Sequence, residues 1–178
     1  MAEGDWTRHF EALAPIRQLG SFHLYAGRWQ GRACVVAAAA SSVDPETAAD
    51  RIAAAVAANA GIDHPAVPPI ITHGREADTP FLAYGTAARH DLGHLLALAG
   101  RPGPHPGELA AYVLLMVSVL AAVPADRDVH RLGVANVLVD DDGGVAVLGL
   151  GCDLLAHQGP ALPAVSLAPG AARRALVR

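Results

Sequence analysis

Between residues 16 and 40 the apolar positions fall in three short runs, Ile16-Leu19, Leu24 to Arg28 and Ala33 to Ala38, broken at Gly20 and at Trp29-Gln30-Gly31. Runs of this length with turn glycines between them predict three strands of an antiparallel meander. Asp44-Pro45 follows, an N-cap residue and then the residue best suited to the first helical position, and the Ala-rich stretch to Asn59 stops just before Gly61. One helix over Pro45 to Asn59, about four turns long, is the expectation. Two more apolar runs, Val67 to Thr72 and Phe81 to Tyr84, flank a polar stretch from Gly74 to Thr79 and read as two further strands of the same sheet. Beyond them the pattern becomes mostly helical. Helices are expected over Asp91 to Ala99 and Glu108 to Val123, then a hairpin over Asn136 to Val139 and Val145 to Leu148 whose turn is Asp140-Asp141-Asp142-Gly143-Gly144. From His157 onward Pro and Gly recur at short intervals, which predicts loop up to a last helical turn at Ala171 to Val177.

Composition narrows the class. With 178 residues, 52% of them apolar and 17% charged, the chain can bury enough surface to fold as one domain without staples. Its 13 basic and 17 acidic residues leave a net charge of -4, which argues against nucleic-acid binding and against a polybasic membrane sensor. The run Leu109 to Val123 stops at Pro124, short of the roughly 20 residues a membrane span needs, and so predicts a buried helix. Cys34 and Cys152 are far apart in sequence, as expected of two buried thiols in a reducing compartment. Met1 to Phe10 lacks the basic and apolar regions of a signal peptide, so a cytoplasmic location is expected. Every basic residue is Arg; the chain has no Lys.

Several short motifs keep informative spacings. Val129-His130-Arg131 runs into Leu132-Gly133-Val134-Ala135-Asn136-Val137-Leu138-Val139, His64-Pro65-Ala66-Val67 follows the first helix, Leu148-Gly149-Leu150-Gly151 follows the hairpin, and Ala168-Pro169-Gly170 comes near the end. With the order of elements, these resemble the protein-kinase family, of the bacterial serine/threonine type, over residues 12 to 172. In turn they match the catalytic loop H-R-D-L-x-x-x-N with its following strand, then H-P-N-I, D-F-G and A-P-E. The resemblance implies an α+β, two-lobed kinase-like fold. An antiparallel five-stranded N-lobe sheet with one helix would occupy about 12–84, and a truncated, mainly helical C-lobe about 85–178.

The same resemblance identifies groups that are missing. Ala37, in Cys34-Val35-Val36-Ala37, stands where a third-strand Lys would pair the phosphates, and no Lys elsewhere can replace it. The first helix carries acids only early, at Glu46 and Asp50, so the partner Glu is missing as well. If Gly20 opens the glycine loop, Phe22 and Tyr25 take its next two glycine positions and fill phosphate space. Leu132 follows Arg131 where the catalytic Asp belongs, and Gly149 replaces the metal-binding Asp. Asn136 remains as a vestigial metal ligand, although a cap on local backbone is the favoured reading for it. Phosphoryl transfer depends on these groups acting together. A pseudokinase is therefore expected, with no catalytic residue, no cofactor, no metal and no ATP binding.

Other clusters read as structural. His90-Asp91-Leu92-Gly93-His94 echoes the zincin pattern H-E-x-x-H, but Asp replaces Glu and no third ligand follows at a recognised spacing. Asp140-Asp141-Asp142 reads as turn chemistry. The helix over 108–123 is apolar nearly all round, and the later helices that cover it in a complete kinase domain are missing from the sequence. A protein partner, or a second copy, is expected to dock on it. The first expectation is thus an inactive scaffold, regulatory or partner-binding module. The alternatives are a kinase-fold subunit of a multi-protein enzyme or biosynthetic complex, an unconventional phosphotransferase with residual nucleotide binding, and a gene product with no selected activity.

Overall fold

The computed structural model describes residues 5–98, 106–124 and 136–149, which form a mixed α+β fold. Strands β1 (Glu11–Leu19), β2 (Phe22–Trp29) and β3 (Arg32–Ala39) make the expected meander. Helix α1 (Pro45–Asn59) follows, then β4 (Ile70–Glu76) and β5 (Thr79–Tyr84). All five strands join one antiparallel sheet in the order β1-β2-β3-β5-β4, so β1 and β4 are its edges. A 3-10 turn, Asp5–His9, precedes it. The rest comprises β6 (His90–Asp91), α2 (Leu92–Leu98), α3 (Pro106–Ala122), β7 (Val137–Val139) and β8 (Val145–Val147), with the three short strands in a second sheet of order β6-β7-β8. No helix among the described residues is long and apolar enough to cross a membrane.

Helix α1 has the predicted bounds because its end signals are local. The Asp44 side chain accepts from Thr47 N and Thr47 Oγ1, both at 2.8 Å, and these bonds, the backbone one foremost, hold its carboxyl below the ordinary carboxylate range. Gly61, just past the other end, has a φ of +79°, the left-handed conformation that glycine adopts without steric cost. Ala48, Ile52 and Ala55 form the buried stripe of α1 and pack on Phe22, Leu24, Val35, Ala37 and Leu82 of the sheet. The opposite sheet face buries Cys34, Val36, Ala38, Phe81 and Ala83 beneath Phe10, whose ring meets Phe81 edge-on at 5.7 Å.

The structure corrects the bounds of β4. Its strand is Ile70–Glu76 rather than Val67 to Thr72, and the turn is Ala77-Asp78, both with positive φ (43° and 64°). This is a two-residue hairpin of the type that normally carries Asn-Gly. Gly74, which looked like a turn residue, lies inside the strand opposite Phe81, whose Cζ would be 3.4 Å from an added β-carbon. Strand β6 was not anticipated, and two residues are too few to show a period.

The expectation of a buried helix over 108–123 holds for only one side of α3. Val119 is fully buried, and Tyr112, Leu115 and Met116 pack partly against a cluster that includes Val67, Leu92, Val137 and Val147. Val113 and Leu114 are 53% and 68% exposed.

Candidate functional site

The seam between the two sheets is where the motif positions meet. Leu19, Leu24, Ala37 and Tyr84 from the larger sheet, Ala88 from the connection that leaves it, and Leu138, Ala146 and Leu148 from the hairpin β7-β8 belong to one buried cluster. Ala37 is 1% exposed and sits between Leu24 of β2 and Leu82 of β5. An ammonium group placed there would be surrounded by aliphatic side chains. The acids of α1 lie elsewhere: Glu46 pairs with Arg75 of β4, and Asp50 is exposed.

Gly20 (φ +57°) and Ser21 form a tight turn that takes β1 directly into β2, with Leu19 opposite Phe22. A two-residue turn leaves no long glycine loop to wrap phosphates. Phe22 is fully buried beneath α1 in the seam cluster. Tyr25 departs from expectation, because strand alternation sends it to the opposite face of the sheet, with Cys34, Val36 and Phe81. Arg51 of α1 reaches the turn, donating from Nη1 to Ser21 Oγ at 3.0 Å.

Asn136 is 6% exposed and bound on both sides to one residue: its Nδ2 donates to Leu148 O at 3.0 Å, and Leu148 N donates to Asn136 O at 2.8 Å. The amide ties the residue before β7 to the residue after β8, 12 positions along the chain. Gly149 is buried with φ +70°, and its N–H donates to Tyr84 Oη at 3.3 Å. Leu132, His130, Arg131, Cys152, Ala168-Pro169-Gly170 and the helical turn expected at Ala171 to Val177 lie outside the described residues.

Cys34 is buried, and desolvation pushes its thiol up to about 11, so near neutral pH it is a protonated, inert core side chain. The two imidazoles of His90-Asp91-Leu92-Gly93-His94 do not converge on a metal with their acid. Asp91 Oδ1 accepts from Gly93 N at 2.7 Å and His94 N at 3.3 Å, capping α2, while Oδ2 pairs with Arg17 of β1. His90 Nε2 lies 2.6 Å from Asp141 Oδ1, and Arg89 also pairs with Asp141. The His90 hydrogen bond and the Arg89 charge hold the Asp141 carboxyl below the ordinary range. Asp140 Oδ1 accepts from Asp142 N at 3.0 Å and Gly144 N at 2.6 Å, closing the hairpin turn.

Two features of the seam were not singled out from sequence. The Tyr84 hydroxyl gave no signal, because a Tyr ending an apolar strand looks like core. The double use of Asp91 did leave a trace: an Asp just before an apolar helical stretch is an N-cap signature, here hidden by the flanking histidines. No protein-family model matches the chain, and no curated protein matches it.

Proposed function

We propose that this chain is an inert, protein-kinase-like module that acts by holding a protein partner, with α3 as the docking face. The observation that carries the reading is the aliphatic seam. The positions that the kinase resemblance assigns to the nucleotide's Lys and metal ligands are Ala37 and Gly149, and Leu19, Leu24, Leu138 and Leu148 pack around Ala37 in one buried cluster. The sheet of five antiparallel strands with one helix between β3 and β4 supports the same resemblance. A phosphate chain entering this seam would be desolvated against hydrocarbon. The docking role rests on α3, which exposes Val113 and Leu114 and carries no charged residue from Leu109 to Val123.

A melting curve with millimolar ATP and Mg²⁺ tests the inert seam. Ligand at 100 times its dissociation constant would stabilise by about 2.7 kcal/mol, on the order of 5–10 °C for a chain of this length; no metal-dependent shift is expected, and a clear one overturns the reading. For the docking face, Leu114→Asp should stay folded and abolish the association seen by light scattering in the parent chain. A parent chain that is monomeric at micromolar concentration and binds no hydrophobic dye overturns that part.

A further inference from the structure

Strand β4 ends the larger sheet, and among the described residues no strand pairs with its outer edge. Alongside it lies a cavity of about 750 Å³, lined by Ile70–His73 of β4, the C-terminal end of α1 and the connection between them. That volume falls in the range of about 300–1,000 Å³ typical of ligand sites. Val56, Ile62, Val67 and Ile70 supply aliphatic lining where two buried clusters meet.

The charged and titratable lining consists of Asp63 and two imidazoles, His64 and His73, of which His64 accepts at Nδ1 from Ala66 N at 3.1 Å. Asp63 is the only carboxylate in it, no Arg lines it, and α1 has no basic residue in its last turn to offset the negative end of the helix dipole. Asn59, Ala60 and Gly61 bring that negative end to the cavity wall. An open strand edge offers a ladder of backbone donors and acceptors that another extended backbone satisfies, while an adjacent hollow selects its side chains. Edge, hollow and field occur together here.

We propose that the β4 groove is a docking site for an extended, cationic segment of a partner protein. The segment adds as a strand along 70–73, places an aliphatic side chain in the hollow, and sets Lys or Arg two residues away, on the same strand face, toward Asp63. This inference rests on the partner-binding reading and adds a surface distinct from the exposed face of α3.

The probe is the peptide acetyl-Arg-Thr-Val-Thr-Arg-amide, titrated into the ¹⁵N-labelled full chain, with acetyl-Glu-Thr-Val-Thr-Glu-amide as its charge-reversed counterpart. Amide shifts at 59–63 and 70–73 are expected with the first peptide and not with the second. Asp63→Arg should weaken binding by at least about threefold, the scale of an exposed charge pair. Ala60→Trp, at an exposed position lining the cavity, should abolish it by filling the hollow. The proposal is overturned if neither peptide binds at millimolar concentration, if both bind equally, or if Ala60→Trp is without effect. Leu114→Asp separates the two readings. Peptide binding that survives it, in a chain that never associates through α3, leaves the groove standing and removes the α3 reading; peptide binding abolished by it places the peptide on α3 and removes the groove.

Discussion

Helices α1 and α3 meet the same requirement, covering apolar surface, in opposite ways. Helix α1 mixes Glu46, Asp50 and Arg51 with alanines and buries one narrow stripe, Ala48, Ile52 and Ala55, against a sheet that is covered on its other face as well. Between Leu109 and Val123 α3 has no charge, yet Val119 is its only fully buried residue among those described, and Leu114 stands 68% exposed. Around α1 the chain completes its own core. Around α3 the described residues leave Val113 and Leu114 facing outward.

Core deletions give the largest contrast. Phe22→Ala should cost about 3–5 kcal/mol in urea unfolding, the range for removing a buried aromatic ring, whereas Leu114→Ala should fall within about 0.5 kcal/mol, as for an ordinary surface change. Similar losses at the two sites would mean that α3 is sealed and would end the comparison. Next in size is the strap between the two sheets. Asp91→Ala removes both the cap on α2 and the partner of Arg17, and should cost about 1–3 kcal/mol. A double-mutant cycle with Arg17→Ala should show coupling; strict additivity would mean that the pair contributes nothing across the seam.

A smaller effect, of opposite sign, is expected at the β4-β5 turn. Ala77 has a φ of 43°, so Ala77→Gly should stabilise by roughly 0.5–1 kcal/mol through relief of left-handed strain. An unchanged or lower unfolding midpoint would refute that account of the turn. The smallest effect at neutral pH is that of Cys34. Its folded-state pKa is raised from 9.0 to about 11, so its contribution to stability is complete below pH 9 and is lost as pH rises toward 11. In a Cys152→Ser background the thiol should react with a disulfide reagent at pH 8 at least about a hundredfold more slowly than after denaturation. Equal rates would show the outer face of the sheet to be open.

The residue pattern carried α1 in full, because its bounds rest on contacts within one turn: Asp44 with Thr47 at one end, Gly61 at the other. It carried the β2-β3 turn for the same reason, since Gln30-Gly31 states its own geometry. It misplaced β4, where Gly74 lies inside the strand opposite Phe81 and Ala77-Asp78 makes the turn without glycine. Tyr25 was misread for a local reason: it lies three residues after Phe22 in one strand, so alternation alone sends it to the opposite face.

At the seam, sequence alone determined that the chain has no Lys and that Ala and Gly stand at positions 37 and 149, because these are matters of residue identity. Only the tertiary structure decided what occupies the space instead. Leu138 and Leu148 lie about a hundred residues from the Ala37 they help to bury, and Asn136 closes their hairpin through a bond to Leu148. Local signals such as caps, turns and composition act over a few residues and are written in order along the chain. Burial, pairing and the open edge of β4 are set by contacts between distant segments, and the linear pattern alone does not specify them.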